Sequence, residues 1–379
     1  MKVFVVYIGD IFHCPPAMTV IQTLSDLKYE VHVCVNSFSA EKTVESFSDR
    51  KNVKFVSVAN EYNRNQGILG KFLEMFQIRK RLWDYIDGES EKDSLIWIVA
   101  GGTVKFLGKE LLNHKYILHL LELTEDIYYL ESKHMFPLSR KYARKATVVV
   151  ECEYNRAHIT KAWWELETLP EVLPNKPYIV DSILKNSSIT RNDNVVDVIK
   201  AVKGKKVILY QGNISAERPL EPFIEAVEEL GDPYVFVAMV NGDDPFSNKK
   251  RGSYYHIPFV VPPYHLEVTS NAYIGVLTYT PIKNDYSILN TLYCAPNKIW
   301  EYSMFSIPMI SNDLPALKEL FMSIQCGVCF DKFTKEQIKD AIVRIDSNYS
   351  DFSNESKRLF ESVDINNRIQ HIIDCAKER

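Results

Sequence analysis

Two successive series of short β-rich runs, alternating with helical patterns, constrain this chain more than any other feature. The first series holds "KVFVVYI" from Lys2 and the helical "AMTVIQTLSDLKY" from Ala17. It continues with "EVHVCV", "VKFVSV", "SLIWIVAG", "YILHLL" and "ATVVVE". A Pro-punctuated stretch, "LPEVLPNKPYIVDS" over Leu169 to Ser182, interrupts the pattern. It restarts with "KVILYQG", the amphipathic "PLEPFIEAVEEL", "YVFVAMV", "YYHIPFV", "AYIGVLTYT", "IPMISND" and the helical "PALKELF". Such alternation reads as βαβ units around a parallel sheet. A chain of 379 residues exceeds what one hydrophobic core serves. The expected architecture is therefore α/β, with two doubly wound, Rossmann-like domains facing across a cleft. Residues 1–176 and 177–362 are expected to form the two domains, and a C-terminal helix, 363–379, to cap the second or cross back onto the first.

Composition narrows the function classes. A hydrophobic content of 46% with 25% charged residues describes a soluble globular protein. A net charge of -4 and a pI near 6.2 supply no general attraction for nucleic acid. The longest apolar runs, such as that from Leu95, are too short to cross a bilayer, and "MKVFVVYIGD" suits a buried first strand better than a signal peptide. A cytoplasmic location is expected. Seven scattered cysteines fit a reducing compartment. The "CGVC" of Cys326 and Cys329 has no second pair near it and reads as two small residues on a strand.

Ligands of open parallel sheets bind at the carboxyl ends of the strands, where amide groups of following helices face outward. That rule selects the loops at Gly9, at Gly101 and Gly102, at Gly212, and up to Asn297. In "LYQGNISAERPL" Gly212 allows a tight turn and Arg218 stands at a helix start, where a guanidinium suits a diphosphate. In "APNKIWEYSMFSIPMISND" Asn297 caps a helix and Lys298 adds a cation at its first turn, where dipole stabilisation would not place one. Glu301 follows one turn later, open to accept hydrogen bonds from two vicinal ribose hydroxyls. The simpler alternative is an exposed intrahelical Lys298–Glu301 pair.

These residues together resemble the nucleotide-sugar signatures of GT-B glycosyltransferases, specifically family 4. "CEYNRAHI" and "EVLPNKPY" resemble the end of that family's N-terminal domain. The resemblance implies a bacterial-type enzyme that moves a sugar from a nucleotide-sugar to a glycan or lipid-linked acceptor, with retention. Gly212, Asn213, Arg218, Asn297, Lys298 and Glu301, with Gly9 from the first domain, are then the donor-binding residues. Asn213 stands in the family's arginine position and Arg218 in its lysine position. Seven residues separate Tyr293 from Glu301, and Tyr293 replaces the first of the family's paired glutamates. Ser306 replaces a usual glycine. Glu122 in "YILHLLELTED" matches the family's catalytic-cleft glutamate and, with Arg218, is the catalytic candidate. Leu121 stands where a histidine is usual, and His119, two residues earlier, reads more simply as a buried strand histidine.

No Asp-x-Asp, G-x-G-x-x-G after the first strand, or G-x-S-x-G occurs. No metal or other cofactor is expected, the nucleotide-sugar being a substrate. In "GKFLEMFQIRKRLWDYI", Lys71, Arg79, Lys80 and Arg81 accompany Phe72, Phe76, Leu82 and Trp83, a mixture that suits contact with an anionic membrane at its inner face or, more usually, a packed helix with a solvated basic face. The alternative from another class is a catalytically silent GT-B subunit that binds nucleotide or glycan beside a partner enzyme.

Overall fold

The computed structural model describes residues 1–38, 43, 46–58, 67–130, 134–179, 183–188, 193–244, 246–247, 252–258, 260–282 and 287–379. The chain forms two compact units. The first holds Met1–Tyr178, a short excursion that includes Asn290, and Asp364–Arg379. The second holds Ile179–Asn284 and Thr291–Val363.

In the first unit the strands are β1 (Lys2–Asp10), β2 (Glu30–Ser37), β3 (Val53–Ser57), β4 (Leu95–Val99), β5 (Tyr116–His119), β6 (Tyr128–Leu130), β7 (Met135–Pro137), β8 (Val148–Glu151) and β9 (Glu171–Val172). Seven of them make one sheet in the order β3-β2-β1-β4-β5-β8-β9, and β6 and β7 pair separately as an antiparallel ribbon. All pairings within the large sheet are parallel. The alternation of side chains explains why these runs are apolar throughout. Val3 and Val5 enter the core on one face, Phe4 and Val6 the core on the other.

Strand β1 runs through Gly9 instead of ending before it. The chain turns at Asp10, whose carboxylate accepts from the amide of Phe12 at 3.1 Å. Gly9 thus belongs to a strand whose register shifts between Tyr7 and Asp10, and a Cβ there would lie 2.6 Å from the Tyr7 ring. The glycine makes room for a neighbouring side chain. The helix Ile365–Glu378 starts at Asp364, which accepts from the amide of Asn367 at 3.0 Å. Its Ile369, Ile372, Ile373 and Ala376 are buried in the same core as Val3 and Val150, so it belongs to the first unit.

The second unit contains β10 (Lys206–Gly212), β11 (Tyr234–Val240), β12 (Tyr254–Pro258), β13 (Ile274–Leu277), β14 (Met309–Asn312) and β15 (Gly327–Phe330). Their order, β12-β11-β10-β13-β14-β15, is parallel throughout. The order reverses between β10 and β13, which makes the carboxyl ends of those two strands the switch point where such sheets bind ligands. Cys326 and Cys329 lie at β15 as free thiols, and burial pushes both up to about 12.

The helix Asn297–Met304 is held against this sheet by Tyr302, which is fully buried and donates its hydroxyl to the Leu209 carbonyl at 3.0 Å. The ring occupies the space above Gly275 in β13, where a Cβ would overlap ring carbons. Gly275→Ala should therefore destabilise the protein by about 1–3 kcal/mol, the usual scale of overpacking. Chemical denaturation measures it. A wild-type midpoint would mean that Gly275 does not set the seat of this helix.

Candidate functional site

The loops at the β10/β13 switch point carry the charge. Gly212 ends β10 with φ at +128°, a conformation that side chains resist, and a Cβ there would sit 3.6 Å from the Lys298 ammonium. The loop after it is tied down from within. Asn213 offers its carbonyl to the Tyr210 hydroxyl at 2.6 Å and to Arg218 Nη1 at 3.3 Å, and its side chain accepts from Asn241 at 3.0 Å. Arg218 lies in a turn closed by its own amide on Ser215, ahead of the helix Glu221–Leu230 and not within it. Pro219 and Leu220 delay the helix start.

Lys298 sits in the first turn of the Asn297–Met304 helix and is only 8% exposed. Its ammonium lies 4.5 Å from the Tyr210 ring centroid and 5.0 Å from that of Tyr279. The Arg218 guanidinium lies 5.4 Å from the same Tyr279 ring. Asn312 secures that tyrosine, accepting from its amide at 3.1 Å and donating to its carbonyl at 2.7 Å. Two cations thus share aromatic faces. Neither has a carboxylate within ion-pair distance among the described residues, and Arg218 Nε is buried without a hydrogen-bond partner. Burial pushes the Lys298 ammonium down to about 7, and the Arg218 charge pushes the same way.

Asn297 does not cap the helix. Pro296 occupies the cap position and no side chain caps this end, so the Asn297 side chain is left in the first turn. Glu301 departs further from expectation. It is not an open carboxylate but 5% exposed, and it forms no exposed pair with Lys298. Gln211 Nε2 donates to its Oε2 at 2.6 Å, and His265 Nε2 lies 3.1 Å from its Oε1. Thr269 donates to Gln211 Oε1 at 2.7 Å, which fixes the amide. Burial alone would raise the Glu301 carboxyl, yet His265, Gln211 and Lys298 hold it below the usual carboxylate range. Sequence reasoning missed Gln211, His265 and both tyrosine platforms, because nothing in their spacing ties them to Glu301. Tyr293 is half-buried in the turn after the helix Ile288–Leu292. Ser306 has φ +57°, the left-handed position that a glycine would occupy freely.

The first unit holds the other predicted residues. His119 ends β5 at 1% exposure, with Trp97 Nε1 3.4 Å from its Nδ1 and no partner on Nε2. Burial pushes it down to about 4, the signature of a neutral core histidine. Glu122, just beyond β5, is exposed. Its Oε2 accepts from Asn290 Nδ2 at 2.8 Å, while Asn290 Oδ1 accepts from the Leu123 amide at 2.8 Å. Arg156 Nη2 donates to the Asn290 carbonyl at 2.9 Å. Asn290, which carries no sequence signal, therefore organises the Glu122 loop. Among the described residues one trio has donor atoms close enough for a metal ion: Glu171, His371 and Cys375, also in the first unit and apart from Glu122.

No family model matches the chain, and no curated protein does. Solved structures match over its full length. An α,α-trehalose-phosphate synthase (UDP-forming) from Burkholderia xenovorans, in complex with glucose-6-phosphate, matches with a TM-score of 0.68 at 10% identity, covering 100% of both chains. HepE from Anabaena, in complex with UDP and glucose, matches with 0.62 at 12% identity, again over 100% of both. An E. coli protein bound with UDP-2-fluoro glucose matches with 0.65 at 11% identity, over 100% of this chain and 99% of that one. At such identities the likeness speaks for architecture: the chain has the GT-B fold of two Rossmann-like domains.

Proposed function

We propose that this chain is a glycosyltransferase that moves a sugar from a nucleotide-sugar donor to a glycan or lipid-linked acceptor, with retention and without a metal ion. One observation carries the reading: Lys298 is buried beside Arg218 at the sheet's switch point, and neither has a carboxylate within ion-pair distance among the described residues. Burying an ammonium beside a half-buried guanidinium is costly unless an anion joins them. A diphosphate fits that need, as it accepts from Lys298, from Arg218 Nε and from the amides of the first turn. Solved structures of the same fold hold UDP-glucose and UDP, which favours a nucleotide-sugar as its source.

In the reaction the bond between the anomeric carbon and the diphosphate oxygen breaks, and the electron pair leaves with the diphosphate. Lys298 and Arg218 stabilise that departing charge, where preorganised cations act most strongly. The acceptor hydroxyl forms the new bond, and its proton passes to the departing diphosphate oxygen. Glu122 stays the acidic candidate in the first unit, whereas His119 is read as a core residue.

Lys298→Met should weaken binding of a nucleoside diphosphate by about 1.5–3 kcal/mol while leaving the nucleoside little changed. The wild-type affinity should also fall as pH rises above about 7. The free ammonium loses its proton there, and a bound diphosphate requires its return. Titration calorimetry across pH checks both effects. Equal losses for nucleoside and diphosphate, or a pH slope that persists in Lys298→Met, would contradict the assignment.

Glu301, on the same helix, is assigned to the ribose hydroxyls. Because it is buried between two donors, Glu301→Gln turns an amide NH₂ toward one of them whichever way the amide lies. Stability should fall by about 1–3 kcal/mol, together with ribonucleotide affinity. A variant with unchanged melting temperature would refute the burial argument.

Peripheral contact with an anionic membrane is assigned to the helix Ile68–Glu89. Of the residues first singled out there, Leu82 and Trp83 are core, and Arg79 is spent on the carbonyls of Lys105 and Phe106 and the Tyr129 hydroxyl. The free apolar stripe is instead Leu69, Leu73 and Phe76, at 81%, 65% and 54% exposure, with the exposed Lys80 a turn further on. No helix among the described residues is long and apolar enough to cross a membrane. Leu73→Asp with Phe76→Asp should abolish sedimentation with phosphatidylglycerol vesicles and leave nucleotide binding intact. Undiminished sedimentation would exclude this face.

A further inference from the structure

Resting on the nucleotide reading, we propose that His265 is a positioning residue for Glu301, holding its carboxylate for a ribose diol and so setting the preference for ribonucleotides over 2′-deoxyribonucleotides. His265 opens the short helix His265–Thr269 and lies 36 residues from Glu301 in sequence. The contact is therefore made by the fold and not by local chain geometry.

The hydrogen bonds around Glu301 run in one direction. Thr269 donates to Gln211, Gln211 donates to Glu301 Oε2, and the carboxylate, an acceptor only, takes the remaining donor from His265 Nε2 on Oε1. An ionised carboxylate has about four acceptor positions, two on each oxygen. Gln211 and His265 each fill one on a different oxygen. One stays available on each, in a plane fixed from both sides. Two adjacent hydroxyls are the donor pair that matches this arrangement.

The ring's other nitrogen supports a role beyond packing. His265 Nδ1 is buried with no hydrogen-bond partner among the described residues. Burying an unpaired ring nitrogen costs stability, and an apolar residue of similar size would avoid that cost. Among these residues Nδ1 meets no acceptor, whereas Nε2 faces the Glu301 carboxylate and donates to it. A residue that breaks a local rule in this way, beside a candidate ligand site, is where function is expected to offset stability.

The test uses the full chain and calorimetric titration with UDP, GDP and ADP, each beside its 2′-deoxy form. Wild type should bind one ribonucleotide more tightly than its deoxy partner. His265→Leu should lose about tenfold in ribonucleotide affinity, which is about 1.4 kcal/mol, and much less for the deoxy form. His265→Gln, whose amide reaches nearly as far as Nε2, should restore most of the preference. If His265→Leu does not fold, His265→Asn, whose amide falls short of Glu301, takes its place against His265→Gln. A parallel fall for both sugars would overturn the positioning role while leaving the nucleotide site standing. Absence of binding to every nucleotide by the wild type would overturn both.

Discussion

The placing of a buried Lys298 and a half-buried Arg218 against the same Tyr279 ring is the constraint around which the second unit is arranged. A lysine at 8% exposure beside a guanidinium is electrostatically unfavourable, and its ammonium responds by falling to about 7. The surrounding residues hold the two cations in place instead of neutralising them. Gly212 keeps a side chain out of the space beside the ammonium, the Asn213 carbonyl steadies Arg218, and Asn312 fixes the tyrosine beneath both. Tyr302 and Gly275 then seat the helix that carries Lys298. On the proposed reading, an anion completes this charge arrangement.

Fold was readable because its signal is redundant. Most strands of both sheets, though not β9 or β15, announce themselves by a run such as "KVFVVYI" or "KVILYQG", and in the central strands burial on two faces leaves little choice of residue. Gly212, Arg218, Lys298 and Glu301 stood out as candidates for a different reason, since their types are hard to justify by stability at those positions. Their surroundings were not. Whether Glu301 lies open or buried depends on Gln211 and His265, brought to it from 90 and 36 residues away, and single-sequence spacing contains no trace of such contacts. The same holds for Asn290 and the Glu122 loop. In the basic helix, composition left a membrane face and a packed helix both open; helical phase puts Leu82 and Trp83 in the core and leaves Leu69, Leu73 and Phe76 outside.

Departures from the pattern that the sequence resembles have a physical setting here. Asn213 stands where that pattern has a cation, and on the proposed diphosphate reading the charge is left to Arg218 and Lys298, which lie against aromatic rings. Ser306 accepts a left-handed backbone at the end of the Asn297–Met304 helix, with its carbonyl taken by the Ser353 hydroxyl at 2.7 Å. These substitutions keep the helix and its charge while changing how each is supported.

A crystal structure of the chain with a bound nucleoside diphosphate tests the central claim most directly. The account predicts phosphate oxygens within hydrogen-bond distance of both Lys298 Nζ and Arg218 Nε, the nitrogen that is buried without a partner in the free protein. A diphosphate bound elsewhere, or one that leaves both nitrogens unpaired, would contradict it.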